Sequence, residues 1–249
     1  DVAITGQGQL DGQGETWWPW VPQWIPTRDR LMEAARQGIP VDQRILGTEA
    51  DHVPPQGIQL VRCTNVLLEG ISLRNSSSTA VHPVYCDSVL IRGVTIDSPG
   101  PNEGINLDSC RNVIVEDCRI AVGDDGIALK SGRNEDGWRV AKSTENVIIR
   151  RCQMQGGRGA LAIGSEMSGG VRNVLIEDCS ASGSYWGVHL KSQEGRGGVV
   201  ENVWIRDLTT EHLPGAPLWV SALYNQGIEV TTGQAPLFRN LHFRNITCH

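Results

Sequence analysis

Asn112-Val113-Ile114-Val115-Glu116-Asp117-Cys118 is one of seven versions of the same phrase in this 249-residue chain. The others begin at Asn65, Ser88, Asn146, Asn173, Asn202 and Asn240, 23 to 38 residues apart. One residue after the start there is always Val or Leu, and three after it always Leu, Ile, Val or Phe. Six after it stand Ile71, Val94, Cys118, Cys152, Cys179, Leu208 and Ile246. Burial at every second residue marks a strand, then a bend, then a second short strand. A unit this small cannot bury its own apolar face, but stacking the units in register buries a continuous core. The pattern therefore predicts an all-β fold, a parallel β-helix, with one repeat per coil and a rise of about 4.8 Å. The Asn column suits a turn that tolerates left-handed backbone, where stacked amides bond from coil to coil. A leucine-rich solenoid is disfavoured because the segments between strands lack helical periodicity. A two-sheet sandwich does not call for such regular columns.

A second column runs through the middle coils. Gly104-Ile105-Asn106-Leu107-Asp108-Ser109 aligns with Gly126-Ile127-Ala128-Leu129-Lys130-Ser131, with Ala160–Ser165 and with Gly187–Ser192. The second and fourth residues are apolar and point inward, so the third and fifth point outward. Asn106, Ala128, Ala162 and His189 are expected to form one exposed column, and Asp108, Lys130, Gly164 and Lys191 its neighbour. Asp124, Arg158 and Tyr185 fall at one level just before the strand. Residues 28–37 predict a helix stopped by Gly38, in an insertion before the first clear coil. Residues 133–143 and 211–236 are expected to be loops flanking a groove. No boundary divides residues 1–249, which are expected to form one β-helix domain.

Hydrophobic residues make up 39% of the chain and charged residues 20%, which predicts a folded domain rather than disorder. The net charge of −6 disfavours a nucleic-acid partner. No apolar run reaches the ~18 residues of a membrane helix. The chain opens in strand-like sequence with no visible signal peptide, as a mature or trimmed form would. The seven cysteines cannot all pair within one chain, and most fall on the repeat, so they are expected to be buried thiols.

Asp108, Asp124, Asp125, Arg158, His189 and Lys191 are all expected on one face, beside small residues that leave room for a bulky ligand. Three close carboxylates repel, and one should hold its proton near neutral pH. A protonated acid and an ionised base facing one groove are what glycoside hydrolysis needs; in the inverting form they stand roughly 6.5–9.5 Å apart. The nearby cations would hold a negatively charged sugar. Each residue also has a plainer reading. The aspartate pair suits a solvated turn, Asp108 a turn cap, and Lys130 an ordinary surface lysine. Trp17, Trp18 and Trp20 suit an N-terminal cap better than a sugar platform. Trp186, beside the groove, is the better sugar candidate, and His82 reads as structural.

Four motifs in order, Asn106-Leu107-Asp108, Gly123-Asp124-Asp125, Gly157-Arg158-Gly159 and His189-Leu190-Lys191, resemble those of the family 28 glycoside hydrolases, which include polygalacturonases and rhamnogalacturonases. The flanking segments Ser98–Asn102, Lys130–Arg133 and Ile163–Gly170 look like those of bacterial members. The resemblance runs from Val2 to Cys248. It implies a right-handed parallel β-helix, hydrolysis with inversion and no cofactor or metal. Asp124 is then the general acid, and Asp108 and Asp125 are the carboxylates that activate water. Lys191 matches the lysine that binds the sugar carboxylate, and Tyr224 an active-site tyrosine. Asn106, Arg158, His189 and Trp186 complete the candidate substrate-binding set. The implied substrate is pectic polysaccharide or oligogalacturonide, cut at α-1,4 galacturonosyl linkages by a secreted or periplasmic monomer that binds neither nucleic acid nor membrane. Family members continue past the last repeat, which leaves room for a missing C-terminal portion. Two departures stand out. Arg158 replaces a family histidine, and beside Asp124 it should lower that residue's pKa. His189 replaces a family arginine, so the carboxylate clamp loses its bidentate partner. Either Arg158 now supplies the guanidinium that holds the acidic sugar, or the exchange marks a changed specificity or an inactive relative. Rival functions are a rhamnogalacturonan or other side-chain hydrolase, a calcium-dependent pectate lyase, and a carbohydrate-binding solenoid without catalysis.

Overall fold

The computed structural model describes residues 1–224 and 234–249. All strand pairs among the described residues are parallel, and each repeat forms one coil. The coil is right-handed, the hand that parallel crossovers take. Register follows the sequence phrase. Val66, Val89, Val113, Val147, Val174, Val203 and Leu241 pair in succession down one sheet. Leu68, Ile91, Val115, Ile149, Ile176 and Ile205 form the next inward column and are almost completely buried. Each contributes about 1.5–3 kcal/mol by leaving water. A second sheet stacks Ile58–Val61, Val81–Val84, Ile105–Asp108, Ile127–Lys130, Gly159–Ile163, Trp186–Lys191 and Leu218–Ser221.

The turn that starts each phrase is left-handed, with φ between 53° and 60° at Asn65, Ser88, Asn112, Asn146, Asn173, Asn202 and Asn240. Asparagine tolerates that conformation better than other residues with a Cβ. Its amides then bond in a chain: Nδ2 of Asn146 donates to Asn112 at 3.0 Å, and the Asn173, Asn202 and Asn240 amides each donate to the one before at 3.1 Å. Cys86, Cys110, Cys118, Cys152 and Cys179 are buried, whereas Cys63 is half-buried and Cys248 exposed.

Two helices depart from expectation. Helix α1 spans Val21–Arg36, seven residues longer at its start than the sequence suggests. Pro22 falls at the first turn, where no N–H bond is lost, and Pro26 forfeits one bond only. It ends before Gly38, as predicted. Helix α2, Asn134–Val140, replaces an expected loop, with acidic residues in its first turn and Arg139 in its last. The tryptophans ahead of α1 pack on the protein. The Trp18 indole donates to the Ser76 carbonyl at 3.0 Å and lies where a Cβ on Gly100 would stand.

The column expected to be exposed is not. Asn106, Ala128, Ala162 and His189 point away from the coil interior, yet all are buried. Their longer neighbours cover them: Trp186 lies on His189 and Glu103 is bonded to Asn106.

Asn146→Ala should lower unfolding free energy by about 1–2 kcal/mol, because alanine resists the left-handed turn and breaks the amide chain. Asn146→Gly should cost less, since glycine takes that turn freely. Urea denaturation of both variants checks the order.

Candidate active site

The aspartate pair sits at the entry to strand Ile127–Lys130, where three coils come together. Gly157 lets the next coil approach: it has φ of 77°, and a Cβ there would lie 2.0 Å from the Asp124 carbonyl oxygen. Asp125 is buried. Its carboxylate accepts from Lys191 Nζ at 2.7 Å and from the Gly159 N–H at 3.2 Å. Lys191 is buried as well and lies 5.2 Å from the centre of the Tyr224 ring. Asp124 is about one-third open to solvent and faces a cavity of about 610 Å³, shared with Asp125, Glu103, Lys130, Lys191 and Tyr224.

The carboxylate that the coils bring beside the aspartate pair is Glu103, not Asp108; Asp29, Glu33 and Glu166 line the cavity further out. Backbone register decides this. The Gly104 N–H donates to the Asp125 carbonyl at 2.9 Å, and the Asp124 N–H to the Asn102 carbonyl at 3.0 Å. Glu103 therefore stands beside Asp125. Asp108 pairs with Lys130 at the other end of the strand. Its carboxylate accepts from Ser109 Oγ at 2.9 Å and the Gly132 N–H at 3.0 Å, in an adjoining recess with Trp24 and Asn134. The signal was in the sequence: aligning Gly104 with Gly126 places Glu103 opposite Asp125.

Glu103 is held at both oxygens. Lys130 Nζ donates to Oε1 at 2.5 Å and Asn106 Nδ2 to Oε2 at 2.6 Å. Lys130 also lies 3.3 Å from Glu166. It is thus part of the cavity, not a free surface lysine, and Asn106 positions a carboxylate rather than meeting solvent. On the opposite wall, α1 presents Arg28, Met32 and Arg36.

The remaining candidates are spread differently. Arg158 is exposed, with Nε 4.0 Å from Asp124 Oδ1, and does not line the cavity. His189 is buried between the rings of Trp186 and Tyr224, at centroid distances of 4.1 and 5.6 Å. Neither its Nδ1 nor the Trp186 indole nitrogen has a hydrogen-bond partner among the described residues. Asn225, the next residue after Tyr224, lies outside the described residues.

Burial drives the Asp124 pKa up to about 6, with the negative charges of Asp125 and then Glu103 adding to it. The expected lowering by Arg158 does not dominate, because that guanidinium stands in solvent where its charge is screened. Burial also raises Asp125, against the pull of Lys191. Burial works against the charge of Glu103, but Lys130 overcomes it and the pKa falls. Lys191 is likewise disfavoured by burial and restored by Asp125, so it stays charged. His189 is lowered to about 3 by burial and Lys191 and stays neutral. One carboxyl that keeps its proton and another that stays ionised, in one cavity, can act as acid and base.

The fold and the cavity define a parallel β-solenoid with a carboxylate-lined groove on one face. Residues 43–249 match the family model "Glycosyl hydrolases family 28". The chain belongs to that family. It is 37% identical over 229 residues to a Vitis vinifera protein named "Probable polygalacturonase", covering 90% of this chain and 42% of that protein. It is 26% identical to the "Endo-polygalacturonase" of Pectobacterium carotovorum subsp. carotovorum, covering 98% of this chain and 55% of that one. The crystal structure of an exopolygalacturonase from Thermotoga maritima superposes with a TM-score of 0.92 at 34% identity, covering 99% of this chain and 58% of that one. The chain thus spans about half the length of the curated relatives it matches. The flanking segments do not mark a bacterial type, since the plant protein shares more identity than the Pectobacterium one.

Because the Asp124 pKa is raised on folding, from about 3.8 to about 6, the folded state binds more protons than the unfolded state between those values. Wild type should therefore lose stability relative to Asp124→Asn as pH rises from 4 to 7, by about 1 kcal/mol after allowing for solvent screening. Below pH 3.8 the two should converge. Unfolding curves at several pH values test this.

Proposed function

We propose that this chain carries the active site of a polygalacturonase that hydrolyses α-1,4 galacturonosyl linkages of pectin with inversion. The observation that carries the proposal is the split between Asp124, which keeps a proton up to about pH 6, and Glu103, held ionised by Lys130. Asp124 donates its proton to the glycosidic oxygen as the bond to C1 breaks. Glu103, with Asp125, takes a proton from the water that attacks C1 from the opposite face. Lys191 holds the sugar carboxylate, supported by its place over Tyr224. Helix α1 along the cavity wall favours attack from a chain end, in keeping with the name of the Thermotoga maritima relative. The polymer is extracellular, so the protein acts in the secreted or periplasmic space, and the site calls on one chain only.

Reducing-end release from polygalacturonate by Asp124→Asn and Glu103→Gln should fall about 10²–10⁴-fold. Asp108→Asn should stay within about tenfold of wild type, since its carboxylate holds a turn. The reverse order, with Asp108 essential and Glu103 dispensable, would remove Glu103 from the mechanism. Ultraviolet-absorbing products lost on adding chelator would indicate a lyase.

The rate should decline above about pH 6 as Asp124 loses its proton. Lys130→Met should move the acidic limb of the pH–rate profile upward, because Glu103 loses the cation that lowers its pKa. An acidic limb unchanged in this variant would exclude Glu103 as the base.

A further inference from the structure

We propose that the cavity around Tyr85 is a second, non-catalytic site for a uronate sugar, one that anchors a long pectic chain while the groove cuts it. The proposal rests on the reading of the substrate given above, but its binding test does not depend on cleavage. This cavity encloses about 500 Å³ and shares no lining residue with the one that holds Asp124. That volume lies in the range of ordinary small-ligand sites.

Its lining is assembled from four parts of the chain. Arg62 and Tyr85 come from successive coils, just after the paired strands Ile58–Val61 and Val81–Val84. Arg139 and Val140 close helix α2, and Lys142 follows it. Leu31 belongs to α1, and Val41 and Arg44 to the segment after it. The family match begins at residue 43, so Leu31 and Val41 precede the matched region.

The charge in this cavity is one-sided. Arg44, Arg62, Arg139 and Lys142 face a single carboxylate, Asp136. Both oxygens of Asp136 are already engaged: Arg44 Nη1 lies 2.6 Å from Oδ2, and Arg139 Nη2 3.1 Å from Oδ1. Arg62 and Lys142 have no carboxylate partner among the described residues. They lie 6.0 and 5.4 Å from the centre of the Tyr85 ring. Four cations around one acid repel one another, in a chain whose net charge is −6. An anion entering the cavity relieves that repulsion.

The shape of the remaining lining selects the anion. Leu31, Val41 and Val140 are apolar, and Val41 is more than half exposed. A small inorganic anion has no use for such a wall. A sugar ring lays its C–H face on apolar carbons and directs its carboxylate to the cations, and the Tyr85 hydroxyl can bond a ring hydroxyl.

The test uses the full chain carrying Asp124→Asn, so that ligand is bound and not consumed, with trigalacturonate as the probe in titration calorimetry. Two sites are expected. Adding Arg62→Ser with Lys142→Ser, both exposed positions, should weaken one site about tenfold or more and leave the other unchanged. The affected site should also weaken as salt rises. In the chain with an intact Asp124, the double variant should raise KM for polygalacturonate and leave kcat/KM for the trimer unaltered. A single site insensitive to the double variant would overturn the proposal. So would equal binding of the methyl-esterified trimer, or displacement of the trimer from this site by sulfate at the same concentration. Should the double variant unfold at a lower temperature, Lys142→Glu alone gives the same readout. If wild type releases no reducing ends, the reading of the groove fails, and the binding result still decides this site.

Discussion

Parallel backbone pairing at one fixed register is the constraint on which everything else rests. Each coil must offer its N–H and C=O groups to the coils above and below at about 4.8 Å. The left-handed turn at the Asn column lets every coil bend at the same place, and the bonded amides penalise any slip. A shift of one residue would turn the Val and Ile columns out of the core. The different lengths of the coils, 23 to 38 residues between starts, are absorbed outside the strands. That is where α2 is found, while α1 precedes the first full coil.

The same register creates the site. Residues just ahead of two aligned strands cannot avoid each other, so Glu103, Asp124 and Asp125 are forced together. Left alone, three such carboxylates would oppose folding. Two lysines, Lys191 buried and Lys130 partly so, each at the last position of a strand in the same sheet, offset part of that repulsion. Lys130 goes to Glu103 and Lys191 to Asp125, and Asp124 is left with the solvent-exposed Arg158 at 4.0 Å. That uneven compensation separates the proton affinities, and it follows from which residues share a rung. It also explains why Arg158 matters less than its position suggests: it reaches Asp124 from the solvent side, where its field is weak.

Helix α1 belongs to a different order of design. Nothing in the coil requires it, and it precedes the segment matched by the family model. It nevertheless forms a wall of the cavity around Asp124 and contributes to the recess beside Asp108 and the basic cavity around Tyr85. A rigid coil offers a straight trough. An added helix divides that trough into compartments, and this is how a common scaffold acquires its own substrate preferences.

The sequence by itself determined the coil. Apolar residues at every second position, a recurring Asn and a stable phrase are local signals, and each coil repeats them, so Val66 through Leu241 fell into register as expected. It also put Asp124, Asp125 and Lys191 on one face, because the strands that carry or follow them align. The alignment of Gly104 with Gly126 also holds the placement of Glu103 opposite Asp125, but the motif resemblance drew attention to Asp108 instead. The structure shows that Asp108 closes the other end of the strand Ile105–Asp108. The tertiary structure also decided what is wet. Period two tells which way Asn106 and His189 point, but not that Glu103 and Trp186 lie over them. Strand direction is written in neighbouring residues. Burial on the outer face, and the proton affinities that follow from it, depend on side chains brought in from other coils and from α1, and no single stretch of sequence contains that information.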